Sequence, residues 1–596
     1  MLRLRPLLLV LLVLAAAIVP YARTLDYELV WDDAFVVGPH LDVKSPGDLT
    51  RLWSLPFDSF LKDETITRTY FRPTVLYSLA LDRALAGESP RLYHLTNVVL
   101  YGAACLFLWL FLARFTGHPL AAALGAIVYA LHPTHPESVA FVSGRTDVLG
   151  ALFLFAALWA AVRFGPAEPR MSRKLVPAAL FLLPGLFSKE IALFAAPVVV
   201  LALWIHDRKL KSADLPMAAL PIVVACAFYL LCRFSVLGLS PIPNIAPVEG
   251  TVPQILTSVA VVARYLPLLL FPVHLTARHE IVEVRAPDLV FLAGLLTLAA
   301  VAFGLWRTWR ARSAWSLPLA LVAATLLPLC YVRLLAGAIV AERFLFVPSA
   351  ALALAVALAP SLARGRTAAA GKKAGRAAGP AAADAGGALL LFGGAVALWF
   401  ALLLWPRVSV WKNEGVLYGS MLRDSPESPH VHAIAAGYYY KTRDLERAAY
   451  HYRRAIALAP DRTHEFLLNL GAAEDEMGQL DSAFVHVRKL NELQPNYSHA
   501  WYALGNLYTR AEKPDSAILA YDRALSLMPN MPQAHNNRGA TFERTGDFEE
   551  ALASYRRALV ADPANPDATN NLRRLSAELG SADLGRAGRD STAGRP

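Results

Sequence analysis

The chain has 596 residues, roughly three or four domain equivalents by length alone. Apolar residues make up 56% and charged residues 17%, with mean hydropathy +0.40, which excludes a wholly soluble enzyme and excludes disorder over most of the length. The net charge of +10 does not point to nucleic acid, because the basic residues lie between apolar runs instead of clustering on a soluble face. A membrane-spanning helix needs about 20 residues, and eleven apolar stretches approximate this: 6–22, 92–113, 119–140, 146–163, 174–188, 190–206, 215–234, 287–306, 314–333, 343–361 and 387–405. The first follows Arg3 and Arg5 like a signal peptide, but with ten spans behind it the reading is an uncleaved first helix. Cys105, Cys226, Cys232 and Cys330 all fall in or beside apolar runs and read as small core residues.

Lys and Arg collect on the cytoplasmic side of a membrane. The basic segments are Arg3/Arg5, Arg163 to Lys174, Arg208/Lys209/Lys211, Arg307/Arg310/Arg312 and the tract Arg364 to Arg376, and each pair must enclose an even number of crossings. Lys189 and Glu190 then sit at the outer tip of a hairpin. The run from Val252 to Val273 would spoil the parity if it crossed, so it is expected to be interfacial or re-entrant. Eleven crossings from a cytoplasmic N-terminus place everything after Pro406 outside. The Ala/Gly/Lys tract at 362–386 reads as a flexible cytoplasmic linker.

After residue 425 a 34-residue period appears, with one 35-residue step between the first two units. The third unit carries Trp501, Leu504, Gly505, Tyr508, Ala517, Tyr521, Ala524 and Pro529, the signature positions of a tetratricopeptide repeat. Three further units agree in register, at Gly539 to Pro563, Leu470 to Pro495 and Tyr439 to Pro460. An amphipathic segment from Ala568 to Leu579 is expected to cap the array, with a disordered tail at 581–596. Such solenoids bind extended peptides or proteins and rarely carry chemistry.

Chemistry is therefore sought in the outer connections of the membrane half, where charge is costly and marks function or structural ion pairs. The first loop holds Trp31-Asp32-Asp33 just past the first helix, an adjacent carboxylate pair fit for a general base with its partner or for a cation site. It continues with Tyr70-Phe71-Arg72-Pro73 and ends at His94-Leu95-Thr96-Asn97. The second reads His132-Pro133-Thr134-His135-Pro136-Glu137, then Arg145-Thr146-Asp147; its prolines prevent the helical i, i+4 presentation of a zinc peptidase, so no metal is assigned. Lys189-Glu190 and Glu342-Arg343 complete the set, all converging on one side of the membrane.

These motifs, in this order and followed by the repeats, resemble the family of transmembrane and tetratricopeptide-repeat proteins. That family is itself similar to the GT-C glycosyltransferases, whose donors are polyprenyl-phosphate sugars, and its animal members are associated with O-mannosylation of secretory proteins. The resemblance implies an all-α chain: a GT-C-like membrane domain over 1–361, the linker at 362–386, a last span at 387–406 and an extracytoplasmic repeat domain at 425–580. It implies an integral multi-pass protein. The Ala/Arg-rich composition and the lack of an endoplasmic-reticulum retrieval signal imply a bacterial member in the inner membrane. The function implied is transfer of a sugar, mannose foremost, from a polyprenyl-phosphate donor to hydroxyls of protein acceptors held by the repeats; a non-enzymatic scaffold or a lipid-linked saccharide transporter are the alternatives. No cofactor is implied beyond the lipid-linked donor. Asp32 or Asp33 is the expected base; Arg72, Arg145, Lys189 and Arg343 are expected at the donor phosphate; His94, Asn97, His132, His135, Glu137, Asp147, Glu190 and Glu342 are expected to position them.

Overall fold

The computed structural model describes residues 4–57, 70–164, 175–238, 248, 250–279, 283–330, 340–361 and 381–590, and every regular element among them is a helix. The chain divides into two units, Met1–Asp424 and Ser425–Pro596.

In the first unit, proline and glycine punctuate the helices. Pro90 and Pro119 open theirs, where the fixed φ is pre-set and the missing N–H costs nothing, and Gly117 (φ 72) closes Pro90–Thr116 in the left-handed conformation. Among the described residues, eight helices are long and apolar enough to cross a membrane: Pro6–Asp26, Pro90–Thr116, Val142–Phe164, Ser212–Leu237, Thr251–Leu270, Leu289–Arg310, Glu342–Ser361 and Leu390–Ser409. Four shorter apolar helices accompany them, Pro119–Ala130, Val176–Leu186, Ile191–His206 and Ser316–Pro328. Seven of the eight and these four correspond to the eleven expected stretches. The eighth, Thr251–Leu270, is the segment expected to lie in the interface, yet by length and hydropathy it qualifies as a span. Residues 362–380 of the expected linker lie outside the described residues, and a helix Ala381–Ser409 begins within its last part.

Arg145–Phe164 is the central helix. Its alanines and leucines are buried on almost every side, packed against Pro90–Thr116 and Val176–Leu186. Close approach of other helices depends on glycine: a Cβ on Gly125 would stand 2.4 Å from the carbonyl oxygen of Ala353. Gly125→Ala must therefore push Pro119–Ala130 away from Glu342–Ser361. A destabilisation of about 1–3 kcal/mol is expected, the usual cost of overpacking, read as a lowered thermal midpoint in detergent. Gly102→Ala is the control, since its nearest neighbours are side-chain atoms of Ile18 at 3.4 Å.

The two ends of this unit differ in chemistry. At one end Arg312 donates to the carbonyls of Trp204 (Nε, 2.9 Å), Asp207 (2.7 Å) and Leu210 (2.7 Å), bringing the basic segments at 208–211 and 307–312 together. Lys189 and Glu190 stand at the opposite end of Ile191–His206, as Arg145 and Asp147 stand at the end of Arg145–Phe164 away from Arg163.

The second unit is a stack of helix pairs. The first (A) helices are Pro429–Lys441, His464–Glu476, Ser498–Arg510 and Pro532–Thr545; the second (B) helices are Leu445–Leu458, Leu480–Leu493, Pro514–Leu527 and Phe548–Ala561. A final helix, Pro566–Asp590, continues past the expected end of the array at 580, so 581–590 is helical where a disordered tail was expected; 591–596 lies outside the described residues. Buried Ala517, Tyr521 and Ala524 of one B helix close on Leu504 and Gly505 of its A helix, the interdigitation that the repeat signature encodes.

Candidate functional site

The sequence-derived residues meet at one end of the first unit, but they do not play equal parts. Asp33 is fully buried and consumed by the loop at 142–143: its carboxylate accepts from Val142 N (3.2 Å), Ser143 N (2.7 Å), Ser143 Oγ (2.7 Å) and Val30 N (3.4 Å). Burial pushes its carboxyl up to about 7 against these donors. Asp32 is half-buried, accepts no side-chain hydrogen bond among the described residues, and faces the charge of Arg343. Burial raises its pKa while Arg343 pulls it down. The pair is therefore split: Asp33 is spent on the loop, whereas Asp32 is not. Trp31, immediately before them, has φ 53. A bulky residue in the left-handed region is strained by about 1–3 kcal/mol, and such strain concentrates at functional sites.

Arg145, expected at the donor phosphate, sits in a buried polar cluster. It is 0% exposed, and its guanidinium donates to Asn97 Oδ1 (2.7 Å), Ser78 Oγ (3.1 Å) and Tyr93 O (2.8 Å) and pairs with the Asp82 carboxylate (2.6 Å). It is a structural rivet. Asn97 joins it to the 139–141 turn by donating to Val139 O (3.3 Å) and Phe141 O (3.2 Å).

Three other cations converge around Asp147. Lys189 pairs with Asp147; Arg72 donates to Glu190 at 2.8 Å and lies over the Tyr70 ring at 4.2 Å; Arg343 pairs with Glu137 at 3.6 Å and feels Asp147 and Asp32. Glu137 also accepts from Arg343 N at 2.9 Å, which fixes the turn that carries Arg343. Arg233, not anticipated from sequence, adds a fourth cation 3.7 Å from Glu190. Four cations thus face four carboxylates, Asp32, Glu137, Asp147 and Glu190. Among the described residues, Arg72 Nε, Asp147 Oδ2 and Glu190 Oε1 are buried without a hydrogen bond, and an unmet buried polar group costs about 1–3 kcal/mol.

The histidines tie helices together. His132 contacts Thr134 Oγ1 (2.8 Å) and Leu269 O (3.0 Å), and His135 contacts Tyr101 OH (2.7 Å) and Ser349 Oγ (2.9 Å), so all four ring nitrogens are engaged. Among the described residues no group of three His, Cys, Asp or Glu is placed to hold a metal ion. His94 is buried with Tyr27 edge-on at 6.4 Å and the carbonyls of Glu28, Tyr27 and Ala140 nearby. Glu342 is fully buried and held by Arg407 at 3.0 Å, with His279 at 3.8 Å. Asp82, Arg233 and Arg407 escaped the sequence reading, although Arg233 and Arg407 are each a lone charge at the end of an apolar segment, the signal that marks such positions.

Below the Glu190–Arg233 pair, a cavity of about 900 Å³ runs between Ile191–His206, Leu215–Leu237, Leu289–Arg310 and Ser316–Cys330, lined by Leu193, Pro197, Trp204, Ile222, Cys226 and Trp309. Its apolar wall on Ile191–His206 runs from Leu193, one turn below Glu190, to Trp204, about 16 Å at 1.5 Å per residue.

Fold and site together define a polytopic helical membrane protein that carries a tetratricopeptide-repeat solenoid. A family model described as tetratricopeptide repeat matches residues 502–566. The chain is 33% identical over 158 residues to protein O-mannosyl-transferase TMTC4 of Homo sapiens, covering 24% of this chain and 21% of that protein. It is 24% identical over 355 residues to protein O-mannosyl-transferase F38B6.6 of Caenorhabditis elegans, covering 58% and 50% respectively. Over 154 residues it is 35% identical to TMTC1 of Mus musculus, covering 25% and 16%. Matched segments thus span half or less of the length of these relatives. These matches support the transmembrane and tetratricopeptide-repeat family. Among solved structures, the first tetratricopeptide domain of human RPAP3 is 27% identical over 20% of this chain and 95% of its own (TM-score 0.20), and PilF of Pseudomonas aeruginosa is 20% identical over 30% and 80% (TM-score 0.26).

Proposed function

We propose that the chain transfers a sugar, mannose foremost, from a polyprenyl-phosphate donor to hydroxyl groups of protein acceptors on the extracytoplasmic side of a membrane, the bacterial inner membrane in the reading from composition. The observation that carries this is the cluster itself: Arg72, Lys189, Arg233 and Arg343 gathered beside a carboxylate, Asp32, at one end of the helical bundle. The named activity of the similar proteins agrees with it.

In this reading the lipid phosphate is the leaving group and needs cations, not an acid. Among the described residues the four cations face four carboxylates, so a phosphate must displace existing partners; Arg233–Glu190 at 3.7 Å and Arg343–Glu137 at 3.6 Å are long pairs. The apolar cavity below Arg233 takes the polyprenyl chain. Asp32 deprotonates the acceptor hydroxyl as the C1–O bond to the donor phosphate breaks and the new C1–O bond forms, through an oxocarbenium-like centre.

The test is transfer by membranes containing the full chain, supplied with labelled polyprenyl-phosphate mannose and a Ser/Thr-rich acceptor. Label in an alkali-labile protein linkage is expected; a well-folded chain that labels no acceptor from any polyprenyl-phosphate hexose overturns the reading. Because the base must be ionised, the rate falls as pH drops through the Asp32 pKa. Arg343→Ala removes the cation that holds this pKa down, so the acid limb is expected to move to higher pH and the donor KM to rise. An unmoved limb separates Arg343 from the base. Reporters fused after Pro406 are expected outside and one within 365–378 inside.

A further inference from the structure

The B helices of the repeats carry a pattern that their buried signature does not explain. Ala448, Ala483, Ala517 and Ala551 hold one register position in the four units, and all are buried. Two residues further on, about 200° round a helix of 3.6 residues per turn and so on its opposite side, stand Tyr450, Val485, Leu519 and Ala553. The first three are 57%, 63% and 70% exposed, an apolar row on the outer side of the stack. Residues four apart share a helix face. Four before the apolar row come Glu446, Asp481, Asp515 and Glu549; four after it come Arg454, Lys489, Arg523 and Arg557. The outer face thus bears three parallel rows, acidic, apolar and basic, within about 12 Å of helix. The helix dipole accounts for acids in the first turn, but neither for large apolar side chains in water nor for a cation at the same mid-helix position of every unit. Among the described residues Asp481, Asp515, Lys489 and Arg523 form no salt bridge within the chain. Beside the basic row, Asp522 is paired with Arg538 at 2.5 Å, so it leaves the sign of that row unchanged.

We infer that this outer face binds the same face of a second copy of the chain, about a two-fold axis that runs along the apolar row. Such a rotation reverses the direction of the B helices and keeps the order of the units. The apolar row then meets itself, and the acidic row of each copy lies over the basic row of the other. A two-fold along the B helices would instead set acid on acid and base on base. The face is therefore self-complementary in one orientation, as an isologous contact requires. The apolar row leaves water on pairing, while the charged rows fix orientation and register more than affinity. The outer side of a curved stack is convex, so contact centres on the second and third units, and a face this narrow makes a weak, reversible pair. The inference goes beyond the transfer reading and stands without it, because its readout is self-association.

The experiment places the full chain, labelled at its C-terminus with a donor or an acceptor fluorophore, in phosphatidylcholine liposomes and reads energy transfer as added lipid dilutes the protein. Asp481→Lys with Asp515→Lys makes both charged rows of the central units basic; Lys489→Glu with Arg523→Glu makes both acidic. Each variant alone is expected to need about tenfold higher density to reach the wild-type signal, since like charges then face each other. The two mixed are expected to restore it, which a misfolded chain could not do. Leu519→Cys lies on the axis opposite its own copy and is expected to give a disulfide-linked dimer on mild oxidation, whereas Asn530→Cys, exposed beyond the end of that helix, is not. Background energy transfer in the wild type, full signal from either charge variant alone, or a mixture no better than its components would overturn the inference. Energy transfer that appears only with anionic lipid would assign the face to the bilayer surface and overturn it too.

Discussion

Arg145→Ala should abolish the folded membrane unit, not merely its activity. The side chain is completely buried and bonds to Asn97, Ser78, Tyr93 and Asp82, residues of two helices and their approach. Removal leaves Asp82, 3% exposed, as a buried carboxylate whose ion-pair partner is gone. Breaking a buried pair in this way costs about 3–5 kcal/mol, a large share of the stability of any domain. Arg145→Lys keeps the charge but not the forked geometry and should fall between. Size-exclusion chromatography in mild detergent reads the outcome: the alanine variant is expected in the aggregate fraction. A monodisperse Arg145→Ala protein of normal thermal midpoint that had lost donor affinity would return Arg145 to the ligand site.

Asp32→Asn should lower transfer by about 10²-fold or more, the scale on which a general base contributes, with little effect on folding. The carboxylate makes no side-chain hydrogen bond among the described residues, so the amide leaves no donor stranded. Asp33→Asn should behave differently. Four donors converge on its two oxygens, and an amide nitrogen would face one set of them. Its expected signature is lost stability, with a lower thermal midpoint accompanying any loss of rate. Equal kinetic loss in both variants at unchanged stability would contradict the division between them.

What the sequence made legible followed from periodicity. Long apolar runs give helices whatever their neighbours, and a 34-residue period in four registers is visible in one chain because each repeat restates the same packing problem. Proline and glycine marked helix ends for the same local reason. What stayed hidden was long-range. Asp32 and Asp33 are chemically identical in sequence; they differ because the 142–143 turn, about 110 residues away, offers its N–H groups to Asp33 alone. Arg145 looked like a phosphate ligand because its partner, Asp82, lies in Pro73–Ala86, a helix that reads as part of a loop. Arg233 was passed over at the end of an apolar run, since nothing local places Glu190 beside it. Thr251–Leu270 shows that charge parity and hydropathy weigh different things: parity asks where a segment must end, hydropathy only whether it could cross.

The central claim is that Asp32 performs chemistry on a donor held by other residues, and the most direct measurement separates holding from reacting in one protein. Purified wild type and Asp32→Asn are each saturated with labelled polyprenyl-phosphate mannose, the bound fraction is measured, and a Ser/Thr-rich acceptor is added for a single turnover. The account predicts equal donor binding, conversion of bound label to O-linked mannose by the wild type, and a rate about 10²-fold slower in the variant. Conversion by Asp32→Asn at the wild-type rate, or a wild type that binds donor and never converts it, would contradict it.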